Sequence, residues 1–239
     1  MSKSEQAIEK RNNQRRFLNK FVDYPVKILI KHGFTPNILS FFGFSCSIVV
    51  GVLLAYGGLH FPFQIAWIVP FTMFWAGAFD VFDGEVARRT QNISKSGAFL
   101  DSNLDRLSDA ILVLGLILGG YFNKNSYFNY IIGFAILFLI IMISYIRARA
   151  ENEGIEMKGV GFMERAERLI ILWLAFITEF WIYFISNLLY GAPFTLFFPI
   201  FTIVFIGLLI LTVIQRLVYS FKALSKNESI NESNHSVVK

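Results

Sequence analysis

Four aspartates in the stretch DVFDGEVARRTQNISKSGAFLDSNLD fall into two pairs, Asp80/Asp83 and Asp101/Asp105. Spacings of three and four place both carboxylates of each pair on one face of a helix. Each pair stands where a strongly apolar run meets a short polar one. Charged groups are costly at membrane depth, so four carboxylates at one level call for cations or water. Hard oxygen ligands of this kind suit magnesium or manganese. Two such ions could polarise a diphosphate and stabilise a departing phosphate. The same charges would also serve a proton or ion pathway, or a salt-bridge network at helix ends with Arg88, Arg89 and Arg106.

A second set of chemistry-bearing residues is basic. Arg147 and Arg149 lie in SYIRARAE, Arg165 and Arg168 in GFMERAERLI, and Arg216 near the end of the last apolar run. Convergent arginines suit a phosphate, which they hold through charge-assisted, often bidentate hydrogen bonds. Arginines at helix ends also snorkel toward water with no ligand at all. Arg147 and Arg216 fit that second reading less well, since apolar or aromatic residues surround both. Glu164 and Glu167 read as partners that orient these arginines, and Lys158 as a weaker phosphate candidate or plain surface. Cys46, the only cysteine, lies inside an apolar run with no motif around it. It reads as a buried apolar residue rather than a nucleophile.

The elements that hold these residues are membrane helices. The chain has 239 residues, of which 55% are hydrophobic, only 16% charged and 27 are Phe. A soluble domain would carry about 25% charge. Six apolar segments of spanning length can be drawn, at about 38–58, 62–82, 99–121, 127–148, 165–187 and 195–219. The first 37 residues are polar and basic and do not read as a cleavable signal peptide. Short turns at 57–61, 122–126 and 188–194 join neighbouring spans as hairpins. All of the 22 Lys and Arg residues except Lys124 fall on the side of the N-terminus. That bias puts both termini and both Asp pairs in the cytoplasm. Residues 17–32 read as an interfacial amphipathic helix with Phe17, Phe21, Ile28 and Leu29 on its apolar face. The expected fold is therefore all-α: six transmembrane helices preceded by this interfacial helix. The net charge of +5 lacks a basic domain with interleaved aromatics, which argues against nucleic acid and for anionic lipid or phosphorylated substrates.

Asp80, Asp83-Gly84, Ala87-Arg88, Gly97, Asp101 and Asp105 fit D-x-x-D-G-x-x-A-R, eight residues, then G-x-x-x-D-x-x-x-D. This pattern resembles the signature of the CDP-alcohol phosphotransferase family at every position. The likeness extends to Thr35-Pro36-Asn37 before the first span and to the Arg/Glu clusters. Only the first 16 residues or so and the tail fall outside it. The R-A-R-A-E and E-R-x-E-R pieces resemble those of phosphatidylinositol phosphate and archaetidylinositol phosphate synthases. Where their bacterial members often carry Lys, this chain has Arg147.

The resemblance implies a membrane enzyme, a homodimer in a cell membrane with its site open to the cytoplasm. Such an enzyme moves a phospholipid moiety from a CDP-linked lipid, CDP-archaeol or CDP-diacylglycerol, to the hydroxyl of inositol phosphate and releases CMP. It implies a two-ion Mg2+ or Mn2+ site on Asp80, Asp83, Asp101 and Asp105, with Asp105 also the general base. Thr35, Asn37, Gly84, Ala87, Arg88 and Gly97 would lie at the CDP moiety. Absent side chains at the glycines suit close approach of backbone to a nucleotide, while Thr35 and Asn37 equally suit capping of the first span. Arg147, Arg165, Arg168 and Arg216 would bind the acceptor phosphate. The expected organisation is a polar N-terminus at 1–16, a catalytic membrane domain at 17–222 and a disordered cytoplasmic tail at 223–239. Glycerol phosphate is the alternative acceptor, and a carboxylate-lined cation transporter the alternative class.

Overall fold

A computed structural model describes residues 22–123, 127–157 and 159–237 of the chain. The expected polar N-terminus at 1–16, Phe17 and Phe21 of the expected interfacial helix, Lys124 and Lys158 lie outside the described residues.

All regular structure described is helical. Helix α1 covers 22–31. It is followed by α2 (Pro36–Ala55), a single 3₁₀ turn (Gly58–His60), the short α3 (Phe63–Ala66), α4 (Ile68–Arg89), α5 (Lys95–Leu118), α6 (Tyr127–Asn152), α7 (Arg165–Tyr190) and α8 (Phe197–Val237). Five described stretches are long and apolar enough to cross a membrane: Pro36–Ala55, Phe63–Arg89, Tyr127–Asn152, Arg165–Tyr190 and Phe197–Lys226. Five such stretches in one chain make it a multi-pass membrane protein.

Two elements differ in extent or composition from the expectation. The third of the six expected spans, 99–121, is helical as α5, but this helix starts earlier, at Lys95. It carries Asp101, Asp105, Arg106 and Asp109 in succession, which leaves it too polar to join the five. The tail expected to be disordered from residue 223 instead continues α8 as far as Val237. Extending an existing helix requires no new nucleus, so a polar segment can follow on from an apolar one.

The chain divides into two compact units, one from residues before Ser47 together with Trp75–Asp105, the other from Ser47–Phe74 together with the residues from Arg106 onward. In the first unit, Val26 of α1, Leu39 of α2 and Val86 of α4 are fully buried against one another. Gly43 lets α2 approach α4: a Cβ there would lie 3.3 Å from Ala76 O and from Phe79 Cβ. Asp23 ties α1 to α4 through Arg89 Nη1 at 2.6 Å. The Lys27 and Arg89 hydrogen bonds hold the Asp23 carboxyl below the usual carboxylate range.

In the second unit the core runs through Val50, Leu54, Leu112, Leu116, Ile136, Ile140, Phe176, Phe198 and Leu209. Gly115 packs directly on the backbone of Gly51, where any Cβ would overlap the Gly51 carbonyl. Small residues at such crossings bring helix backbones together, which is how membrane helices gain packing contact without a hydrophobic driving force. Large apolar side chains such as Phe134, Phe138, Ile203 and Val204 stay exposed. In a membrane protein they meet lipid tails.

Candidate active site

The first unit holds the carboxylates. Asp80 sits toward the end of α4, Asp101 and Asp105 one turn apart near the start of α5. Local signals set both helix ends. Ser94 Oγ accepts a hydrogen bond from Gly97 N–H at 3.0 Å and caps the start of α5. Gln91 takes a positive φ of 53° in the turn before it, and Asn92 N–H closes back onto Ala87 O at 3.1 Å. Asp80, Asp101 and Asp105 can each offer a carboxylate oxygen such that all three lie within 4.8 Å of one another. All three are partly buried. Three hard, anionic oxygens at that spacing fit a divalent cation.

Asp83 lies outside this triplet. It is 6% exposed and accepts a hydrogen bond from Ser40 Oγ of α2 at 2.7 Å. It remains near enough to Asp80 and Asp101 to feel their charge. The structure therefore brings three of the four sequence-predicted carboxylates into one ligand set and turns the fourth toward Ser40.

The residues expected at the nucleotide are spread along the same unit. Thr35 Oγ1 lies 3.5 Å from Ile38 N–H, the capping position for α2, and Pro36 supplies the first residue of that helix. Asn37 borders Gly97, whose added Cβ would come 3.4 Å from Asn37 Oδ1. Gly84 faces open space apart from Arg88, whose Nη1 would lie 3.6 Å from a Cβ there. Arg88 pairs with Glu85 at 2.7 Å while its side chain is 64% exposed. An exposed pair of this kind is worth little and yields easily to a phosphate. Ala87 lies on the same helix, between the two.

The arginines belong to the second unit. Arg168 is 3% exposed and Asp109 5% exposed, and Arg168 Nη2 donates to Asp109 Oδ2 at 2.5 Å. Asp109 was not among the expected site residues. Its signal was available, since it extends the Asp101–Asp105 spacing by four more residues.

Arg216 is 2% exposed. Its Nε donates to Val160 O at 2.9 Å and its Nη1 to Ile143 O at 2.8 Å. The loop that supplies Val160 is docked on α8 by Met163 N–H to Thr212 Oγ1 at 3.2 Å and Phe162 N–H to Gln215 Oε1 at 2.8 Å. Gly161, with φ of 103°, makes that close approach possible. Arg147 forms a half-exposed pair with Glu151 at 2.9 Å. Arg147, Arg168, Glu151 and Glu164 all lie close enough to act electrostatically on Arg216. Arg165 opens α7.

An all-helical membrane protein with clustered carboxylates at one set of helix ends and buried arginines in a separate unit is the frame of a membrane-bound phosphotransferase. The chain matches the CDP-alcohol phosphatidyltransferase description over residues 34–215, and it belongs to that family. It is 39% identical over 150 residues to an archaetidylinositol phosphate synthase from Pyrococcus horikoshii, 62% of this chain and 72% of that one. A second such synthase, from Methanothermobacter thermautotrophicus, is 47% identical over 97 residues, 41% of this chain but only 46% of the relative.

Among solved structures, the phosphatidylinositol phosphate synthase of Mycobacterium tuberculosis with CDP-DAG bound superposes with a TM-score of 0.68 at 26% identity. That likeness covers 84% of this chain and 94% of that one. The same protein in complex with manganese and citrate gives a TM-score of 0.66 at 27% identity, over 82% and 87% of the two chains. A divalent-metal site on the Asp cluster agrees with that neighbour and with the oxygen spacing.

Proposed function

We propose that the chain transfers a phospholipid moiety from a CDP-linked lipid to a hydroxyl of inositol phosphate, releasing CMP. The observation that carries the reading is the convergence of Asp80, Asp101 and Asp105 within 4.8 Å, in a chain of this family. The relatives' names support the donor and acceptor classes.

Asp80, Asp101 and Asp105 would hold the divalent ions, two in number and magnesium or manganese, with Asp83 contributing from its Ser40-bonded position. When bound, the ions supply charge neutralisation on the diphosphate and on the departing phosphate. Asp105 takes the proton from the acceptor hydroxyl as that oxygen forms its bond to the lipid-linked phosphorus and the bond to CMP breaks. Gly84, Ala87 and Gly97 leave backbone open to the nucleotide, Arg88 donates to its phosphate, and Thr35 and Asn37 stand at the base of α2 beside it. Arg147, Arg168 and Arg216 hold the acceptor phosphate, and Arg165 joins them from the first turn of α7. Most of the rate then comes from positioning and preset charge rather than from a covalent intermediate. The reading includes a homodimer in the cell membrane, with the site and both termini cytoplasmic. The polar segment 1–16 precedes the catalytic membrane domain at 17–222, and 223–239 form a cytoplasmic tail.

The test uses purified protein in detergent with magnesium, CDP-archaeol or CDP-diacylglycerol, and a panel of inositol phosphate, glycerol phosphate, inositol and serine. CMP release is the readout. Release confined to inositol phosphate is the expected outcome. Release with glycerol phosphate instead assigns the other phosphorylated acceptor. Cation flux in liposomes with no lipid-dependent CMP release would replace the enzyme by a transporter.

A further inference from the structure

Within the second unit, α7 buries a carboxylate that the transfer reaction does not use. Glu179 is 0% exposed. Its Oε1 accepts a hydrogen bond from His60 Nε2 of the 3₁₀ turn at 2.7 Å. Its Oε2 is buried and has no hydrogen-bond partner among the described residues. A buried carboxylate is retained where something satisfies it, and an ionisable residue inside a membrane helix marks a site by default.

That carboxylate lines a cavity of about 810 Å³ shared with Tyr56, His60, Tyr121, Tyr183 and Phe198. The volume is that of a small-molecule site. His60 stacks on Tyr183 with ring centroids 4.3 Å apart and tilts against Tyr121 at 5.3 Å. Tyr121 is itself fixed, its hydroxyl accepting Leu59 N–H at 3.0 Å. Among the described residues no lysine or arginine lines the cavity.

We propose that this cavity is a second binding site, taking a ligand that carries an organic ammonium group. The buried, unpartnered Glu179 oxygen accepts the ammonium N–H once the side chain turns to the ligand, and the ring faces of the tyrosines attract its charge. Among the described residues an anion would meet Glu179 with no lysine or arginine beside it. Among the described residues a structural metal would find His60 and Glu179 as ligands of the usual types, two short of a closed tetrahedral set. The ammonium can come from a free amine or from an amine-bearing lipid headgroup, which present the same chemistry to the cavity.

The experiment follows thermal unfolding of the full chain by tryptophan fluorescence. One arm titrates ethanolamine in detergent, with ethylene glycol as the uncharged control. The other compares nanodiscs containing a phosphoethanolamine lipid with nanodiscs containing a phosphoglycerol lipid. A saturable rise in Tm in either amine arm, absent from its control, is expected, and the responding arm identifies the source. Glu179→Gln should weaken that response about ten- to a hundredfold, the worth of one charge-assisted hydrogen bond. CMP release should stay unchanged in the same variant. Tyr183→Leu should also weaken the response, and it carries the test if Glu179→Gln does not fold. The proposal is overturned if neither amine arm gives a saturable shift, if the control works equally well, or if the variants bind as the parent chain does.

Discussion

The Asp109–Arg168 pair offers the sharpest separation of structural from substrate-binding roles. Both side chains are at least 95% buried and the pair spans 59 residues of sequence. Asp109→Asn keeps the shape but leaves the Arg168 guanidinium buried without its counter-charge. Breaking a buried pair on one side costs about 3–5 kcal/mol, which is roughly a hundred- to several-thousandfold in the folding equilibrium. Replacing both, as Asp109→Leu with Arg168→Met, removes the desolvation cost together with the attraction and should return stability to near the parent or above it. Denaturant unfolding in detergent measures this, and steady-state CMP release measures the rest. If Arg168 also holds the acceptor phosphate, the double variant regains stability while its KM for inositol phosphate stays high and its KM for the CDP-lipid moves little. A loss below about 1 kcal/mol in Asp109→Asn would mean that water already screens the pair. A parent-like acceptor KM in the stable double variant would confine Arg168 to structure.

Further outcomes follow from the same geometry. Asp80→Asn or Asp101→Asn should abolish CMP release, as should a chelator with the parent enzyme. Full activity without any divalent ion would remove the metal reading of the Asp triplet. Arg216→Ala should cost both stability and acceptor affinity, because it strips donors from the Val160 and Ile143 carbonyls; each lost charge-assisted bond is worth about 1.5–3 kcal/mol, and the CDP-lipid KM should hold. Gly115→Val should destabilise by about 1–3 kcal/mol in thermal or denaturant unfolding, since its side chain enters the Gly51 backbone; an unchanged midpoint would show that the crossing can open. In a Cys46→Ala background, a cysteine at Ala192 should react with an impermeant reagent from outside intact cells and one at Asn92 should not; the reverse pattern would invert the topology.

What was legible in the sequence was what is local. The Asp80 to Asp105 signature works through spacings of three and four within two consecutive helices, so the meeting of three carboxylates could be anticipated from the letters alone. The five apolar spans were legible for a similar reason, since length and hydropathy are properties of a single segment. Asp83 shares the spacing of the other three, and spacing alone does not report that Ser40, 43 residues earlier, donates to it. Arg216 was placed with the other arginines at a phosphate because apolar residues surround it and because the resemblance implies that role. The sequence carries no mark of the Val160 and Ile143 carbonyls that occupy its Nε and Nη1.

The failure of α5 to qualify as a spanning helix is of a piece with its content. A helix that carries Asp101 and Asp105 in the carboxylate cluster and Asp109 against Arg168 cannot also be uniformly apolar. Its polar groups have specific neighbours: Asp101 and Asp105 stand with Asp80 at a spacing that fits a cation, and Asp109 meets a buried guanidinium. Hydropathy scores a residue as though it stood alone, whereas the cost of a buried charge depends on its partner. The helix richest in chemistry is thus the one a hydropathy criterion passes over. By the same logic Glu179, set among largely apolar neighbours in α7, has its hydrogen-bond partner His60 119 residues away in sequence.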